Sequence, residues 1–421
     1  MTTRKGFTLI ELVVIAVIAI LATILFAIFV EAQETPRGEL RSARRQLLIE
    51  RGGLQAACTY ASCIGLPQYK ANLHCHSRHS DGSQSCDELT NWYKEHGYQV
   101  LSITDHDAYG DQDGGVCAAY LQNDEAIHDW DGDGVLHETR EKRSGVEAYV
   151  RDYSKPAPEW VPREWNLSRP GEFIILNGLE SSFGHPHTNV VGCPAGKIPR
   201  PREGYDFIDW CHASGGVVFQ NHPSSWNMRP ESLYNHPDLS RIDGLEVMNG
   251  FLSRDNRKGT NVDGSPGFAE PLWNACLDNG KRLWGFADDD AHTIDTTHFA
   301  GAGSAWNIIW AKELSAPAIL ESLRSGAFYA SCGIIIDEVT IGRAILRVHS
   351  PNATHIEVIG DGGRVLSHVD GSRITYRLAG DEKWIRVVLW NDTMCYAAPE
   401  PQFPQKAWMQ PIMLDGLLEE R

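Results

Sequence analysis

From residue 68 onward the chain alternates short apolar runs with segments of helical periodicity. The apolar, β-type runs are Lys70 to Cys75, Gln99 to Thr104, Glu172 to Leu179, Thr188 to Cys193, Gly216 to Gln220, Ile242 to Met248, Arg282 to Ala287 and Asn307 to Trp310. Between them, Cys86 to His96, Tyr205 to Ser214, Phe268 to Asn279 and Ala316 to Ser325 read as helices. Gly97, Gly215, Gly280 and Gly326 stand just past their ends, where a C-terminal cap requires a left-handed residue. Strands alternating with helices predict a parallel α/β architecture. The polar residues refine this picture. His74 and His76, then His106, Glu180, His222, and Asp290 with His292, all fall where an apolar run ends. A barrel brings the carboxyl ends of many strands to one face, whereas an open sheet gathers its site at one switch point. Contributions from five runs therefore predict a barrel, with some distortion allowed.

Three segments depart from this rhythm. Residues 108–170 are acidic and rich in Gly, Pro and Trp, an insertion too long for a plain connection. Within it, Asp129-Trp-Asp131-Gly-Asp133-Gly134 resembles the opening of an EF-hand calcium loop, but position twelve is Arg140 where the loop needs glutamate. Calcium at Asp129, Asp131 and Asp133 is one reading, and a solvated acidic turn is the default. After Gly333 the runs become short and β-like, at Glu338 to Val348, His355 to Ile359, Arg373 to Leu378 and Trp384 to Leu389, separated by Gly, Asp and Asn turns. This predicts a small β-sandwich over 333–421.

The third departure is the amino terminus. Arg4 and Lys5 precede an uncharged apolar run, Leu12 to Val30, close to the roughly 20 residues that span a bilayer. Lys5-Gly6-Phe7-Thr8-Leu9-Ile10-Glu11-Leu12 resembles the prepilin leader of type IV pilins and pseudopilins. That resemblance implies cleavage by a prepilin peptidase after Gly6, methylation of Phe7 and an assembly role for Glu11. The expectation is a single-pass protein of the bacterial cytoplasmic membrane, anchored through residues 7–30. Its catalytic domain would face outward, with the leader serving either as a borrowed anchor or for pilin-like assembly. Residues 31–67 read as a charged helical stalk, leaving 68–332 as the principal domain.

Composition narrows the partners. A net charge of −17 disfavours nucleic acid, because phosphate binding needs a basic footprint. The ten cysteines contain no CxxC pair, so a zinc ribbon is not expected. Cys58 and Cys63 are spaced for a disulfide if the domain is exported, or are buried thiols.

The ligand-bearing segments are His74-x-His76, Asp81, Thr104-Asp105-His106, Gly178-Leu179-Glu180 followed by His185-Pro186-His187, Asn221-His222-Pro223 and Asp290-Ala291-His292. Each alone is a weak signal. Together they point to metal-assisted hydrolysis, since so many protonatable side chains brought together unpaired would be costly. The set resembles the PHP (polymerase and histidinol phosphatase) superfamily, specifically its stand-alone phosphoesterases, over about residues 68–332. The resemblance implies a distorted (β/α)7 barrel with two or three divalent transition metals. It implies that His74, His76, Glu180 and Asp290 hold one metal and that Glu180 bridges to a second held by His187 and His222. Asp81, His106 and His292 would hold the third. His185 is the alternative to His187. Mixed imidazole and carboxylate ligation suits Mn, Zn or Fe. Such clusters lower the pKa of water, so no protein nucleophile is needed. Arg254, Arg257 and Lys258 are candidate charge partners for a substrate phosphate, or an exposed basic loop. The expected substrate is a small phosphate ester; the alternatives are another ester or a nucleic-acid end at the same site, or a pilin-like surface protein.

Overall fold

The computed structural model describes residues 38–77, 80–106, 138–143, 146–151, 171–181, 186–193, 205–223, 228–251, 269–298, 300–395 and 403–418. The strands are β1 Gln68–Asn72, β2 Val100–Leu101, β3 Glu138–Arg143, β4 Val146–Arg151, β5 Ile174–Ile175, β6 Gly178–Ser181, β7 Thr188–Val191, β8 Val217–Gln220, β9 Gly244–Asn249 and β10 Trp284–Asp288. They continue as β11 Trp306–Trp310, β12 Phe328–Ser331, β13 Glu338–Ile341, β14 Ile345–His349, β15 His355–Gly360, β16 Arg364–Asp370, β17 Arg373–Arg377, β18 Trp384–Met394, β19 Pro404–Met409 and β20 Ile412–Met413. The fold is mixed α/β, with one sheet ordered β16-β15-β18-β19-β12-β11-β1-β2-β5 and a second ordered β10-β9-β8-β7-β6.

The helices form where capping chemistry and apolar periodicity coincide. Ser85 caps Cys86–Glu95 in a reciprocal box with Glu88, and the helix buries Cys86, Leu89 and Tyr93. Ser315 caps Ala316–Ser325, and Gly326 ends it at φ 79°, a value open to glycine without steric cost. The expected parallel pairing holds for β8, β9 and β10 and for β1, β2 and β5. By contrast, β7 runs antiparallel to both β6 and β8. The physical reason is the connection: only residues 182–187 separate β6 from β7, and a parallel return needs a crossover of about a dozen. Parallel bridges His106↔Glu180 and Cys75↔Ala291 tie the two large sheets at one end. Among the described residues these strands fall into two hydrogen-bonded sheets, which the bridges join through the ends of β1, β2, β6 and β10.

Between the sheets lies an aromatic and aliphatic core. Phe219 stacks on Phe286 with centroids 4.2 Å apart, and Phe286 packs against Phe328. Removing each such ring from water contributes about 1.5–3 kcal/mol. The C-terminal strands share in this core. β19 pairs with β12 on one side and β18 on the other, and buried Trp384 and Trp408 pack with Trp273. β13, β14 and β17 form a separate sheet over the opposite face of β15 and β18, with Leu346, Tyr376 and Ile385 between them.

Residues 38–50, expected within a stalk, form a helix that packs onto these strands instead. Arg44 donates to the carbonyls of Gly380 at 2.7 Å and Glu382 at 2.8 Å. Leu48 and the following Leu54 are buried in the same core as Leu346 and Tyr376. The single-pass, outward-facing membrane placement is corrected: no helix among the described residues is long and apolar enough to cross a membrane. The leader, the apolar run at 7–30 and Glu11 lie outside the described residues. Cys58 and Cys63 are free thiols, and burial pushes the Cys58 thiol up to about 12.

Candidate metal centre

The site forms where β1, β2, β6, β8 and β10 end and β7 begins. The antiparallel turn of β7 places its first flanking residue, His187, on the same side as the carboxyl ends of the others. The segments are locked by backbone pairing: His76 N donates to Ala291 O at 2.8 Å and Asp290 N to His74 O at 3.0 Å. His222 and Asp290 sit at φ 27° and 51°, a region costly for non-glycine residues and found most often at functional sites.

All nine expected ligand residues come together. Their candidate ligand atoms form overlapping groups whose members lie within 4.8 Å of one another. These groups are His76 with Asp81, His106 and His292; His74 with His76 and Asp290; His74 with Glu180 and His222; and His106 with Glu180 and His187. Glu180 is central. Its Oε1 faces His187 Nδ1 at 2.9 Å and His222 Nε2 at 3.2 Å, and its Oε2 faces His106 Nδ1 at 3.0 Å and His76 Nε2 at 3.4 Å. Asp290 Oδ1 lies 3.1 Å from His76 Nε2 and 3.3 Å from His74 Nε2. Asp81 Oδ2 lies 3.3 Å from His292 Nε2 and 3.6 Å from His106 Nε2. His76 thus belongs to two groups, and His222 is grouped with His74 as well as Glu180.

The donor set fits divalent cations. His74 Nδ1 donates to Glu246 Oε1 at 2.7 Å, which leaves Nε2 as the nitrogen turned toward the centre. His74 Nε2 lies 3.2 Å from His76 Nε2, and both rings are fully buried. Two ring nitrogens converging on carboxylate oxygens need positive charge between them. Without a metal, protons supply it. Burial opposes charging His106, but Glu180 and Asp81 carry it up to about 10; burial likewise opposes His292, which Asp81 raises to about 9. Burial, with His292 beside it, lowers His76 to about 4. Burial would raise the carboxyls of Glu180, Asp81 and Asp290, yet the surrounding histidines hold all three well below the ordinary carboxylate range.

Several residues outside the expected set hold it in place. Glu246, in β9, accepts from His74, from His222 N at 2.5 Å and from Asn249 Nδ2 at 2.8 Å. Asn221 donates to Glu180 Oε1 and Asn189 Oδ1, both at 2.7 Å. Asp105 accepts from Ser77 N, Ser77 Oγ and Ser80 Oγ at 2.6–2.7 Å, pinning the turn between His76 and Asp81. The run Asp288-Asp289-Asp290 divides its labour. Asp288 accepts from Leu73 N, and Asp289 gathers the amides of Gly303, Ser304 and Ala305. Only Asp290 faces the histidines. The signal for Glu246 was present in the sequence: a carboxylate inside an otherwise apolar strand must have a buried partner. His185, Arg254, Arg257, Lys258, Asp129, Asp131 and Asp133 lie outside the described residues.

No protein-family profile matches the chain. Over 153 residues it is 28% identical to the DNA polymerase/3'-5' exonuclease PolX of Bacillus subtilis (strain 168), a match covering 34% of this chain and 26% of that protein. The chain therefore spans about a quarter of that relative's length. Among solved structures, it resembles a two-domain protein of Bacteroides vulgatus containing a predicted PHP-like metal-dependent phosphoesterase, with 16% identity and a TM-score of 0.41. That alignment covers 81% of this chain and 98% of the other. An amidohydrolase from Chromobacterium violaceum aligns at 15% identity over 53% of this chain and 87% of its own, with a TM-score of 0.30.

Proposed function

We propose that this chain is a metal-dependent hydrolase of the PHP superfamily, acting on a small phosphate ester. The observation that supports it is the convergence of His74, His76, Asp81, His106, Glu180, His187, His222, Asp290 and His292 in overlapping groups of imidazole nitrogens and carboxylate oxygens, each group within 4.8 Å. The distorted barrel belongs to the same proposal, since it would account for strands from both sheets ending at one site. The identity with PolX adds weight to the family reading.

The residues' parts follow from their surroundings. His74, His76, Glu180 and Asp290 would hold one cation, with His187 and His222 beside Glu180 for a second. Asp81, His106 and His292 would hold a third. Divalent Mn, Zn or Fe bound there would supply Lewis acidity and make water a competent nucleophile near neutral pH. Glu246 fixes the His74 tautomer and ring plane, as carboxylates behind metal-bound histidines do. Asp105 keeps the Asp81 turn in register with His76. Arg254 and Lys258 remain candidates for pairing with the substrate phosphate. The same site could cleave a nucleic-acid end, as the name of the PolX relative suggests, although the charge of −17 counts against such a partner.

The test is turnover of a generic phosphomonoester and phosphodiester by His76→Ala and Asp290→Ala proteins, with metal content measured alongside. Loss of about a thousandfold in rate together with loss of bound metal is expected, the scale on which removing one electrostatic stabiliser acts. Unchanged turnover and unchanged metal content would refute the assignment.

A further inference from the structure

A second group of metal-type ligands lies on the C-terminal strands, made of residues that take no part in the buried centre. β15 and β16 pair so that His355 stands opposite Asp370 and Glu357 opposite His368, while β15 and β18 pair His355 with Trp390. Side chains alternate along a strand, so these residues, with Asp392, share one face. The opposite face carries buried Ile356, Val358 and Leu389. His355 Nδ1 and His368 Nε2 both lie 2.9 Å from Asp370 Oδ1. Each ring's other nitrogen faces a further carboxylate: His368 Nδ1 lies 3.2 Å from Glu357 Oε1, and His355 Nε2 lies 3.8 Å from Asp392 Oδ1. The indole of Trp390 lies nearly parallel to His355, 15° off with centroids 5.1 Å apart, and fixes that ring's plane.

We propose that His355, His368 and Asp370 form a binding site for a divalent transition metal, with zinc as its simplest occupant. Two imidazoles and one carboxylate are a common zinc set, with a fourth position open to water. Tetrahedral bonds of about 2.0–2.1 Å place ligand atoms roughly 3.3 Å apart, so the two separations from Asp370 need open by only a few tenths of an ångström, and the three ligand atoms already lie within 4.8 Å of one another. Glu357 then acts on His368 as Glu246 does on His74, orienting the ring through its other N–H, while Trp390 holds the His355 ring. Such an ion would clamp edge strand β16 to β15. This inference does not depend on the function proposed for the buried centre.

The test uses the full chain, stripped with a chelator, dialysed against zinc chloride and measured for zinc by elemental analysis. A His355→Ala/His368→Ala double variant should hold one zinc fewer than the unsubstituted chain. A His76→Ala/Asp290→Ala chain should retain that zinc and show a zinc-dependent rise in thermal midpoint. Asp370→Asn, which preserves shape, should weaken this zinc by at least about tenfold. A zinc count unchanged in the double variant and in Asp370→Asn would overturn the proposal, leaving a hydrogen-bonded histidine and carboxylate network. Loss of zinc only from the His76→Ala/Asp290→Ala chain would do the same, and would leave the buried centre intact as a reading.

Discussion

Glu246 shows how much of this centre depends on one side chain that does not point at the proposed cations. Its two oxygens accept from three donors, the His74 ring, the His222 amide and the Asn249 side chain. A glutamine has one acceptor oxygen, so Glu246→Gln turns an N–H toward one of those donors and releases His74 or His222 from its position. The expected outcome is a metal affinity about 10–100-fold weaker with the fold retained, read by metal titration beside circular dichroism. Equal affinity in the variant would mean that packing alone orients His74. Of the residues at this scale, the nine chemistry-bearing ones were legible because histidines and carboxylates recur where apolar runs stop. Glu246, Asn221 and Asp105 were not singled out, because a buried polar residue declares only that it has a partner and not which one.

Among the elements, the helix Glu270–Asp278 has a part its sequence hardly announces. Its first residue, Glu270, meets Arg386 of β18 at 3.0 Å and Lys406 of β19 at 3.2 Å. Burial would raise the Glu270 carboxyl, but Arg386 and Lys406 lower it to about 2. A carboxylate whose pKa falls on folding stabilises fully above its unfolded value of about 4.3 and loses that contribution as pH falls through the folded value. Stability from this clamp is therefore complete at neutral pH and fades between about pH 4.3 and pH 2. A Glu270→Gln protein should lose on the order of 2 kcal/mol at pH 7, and its deficit should shrink on acidification toward pH 2. Denaturant titrations at several pH values measure this, and a deficit independent of pH would show that the effect is one of packing.

For the molecule as a whole, the shared sheet predicts that the C-terminal strands and the site-bearing strands unfold together. β19 lies between β12 and β18, and Trp384 and Trp408 share one core with Trp273. The expectation is a single calorimetric transition for residues 38–421, with no separate melting of 333–421. Two resolved transitions would show that the β12–β19 pairing is weak. Texture alone suggested a small sandwich after Gly333, and the β-type runs there do form strands. Their attachment could not be read from composition, because edge pairing is made by backbone groups that every residue carries.

What the sequence determined by itself is local: apolar periods set the strands and helices of 68–332, capping residues set the helix ends, and ligand-type side chains fall at strand ends. Tertiary structure decided the rest. It turned β7 antiparallel because six residues cannot make a crossover, and that turn is what carries His187 to Glu180. It folded residues 38–67 onto the C-terminal strands, where Leu48 and Leu54 found apolar partners that no pattern within their own stretch could reveal. It also separated Asp290 from two identical neighbours. A side chain's chemistry is written in the chain, but its partners are chosen by residues tens or hundreds of positions away.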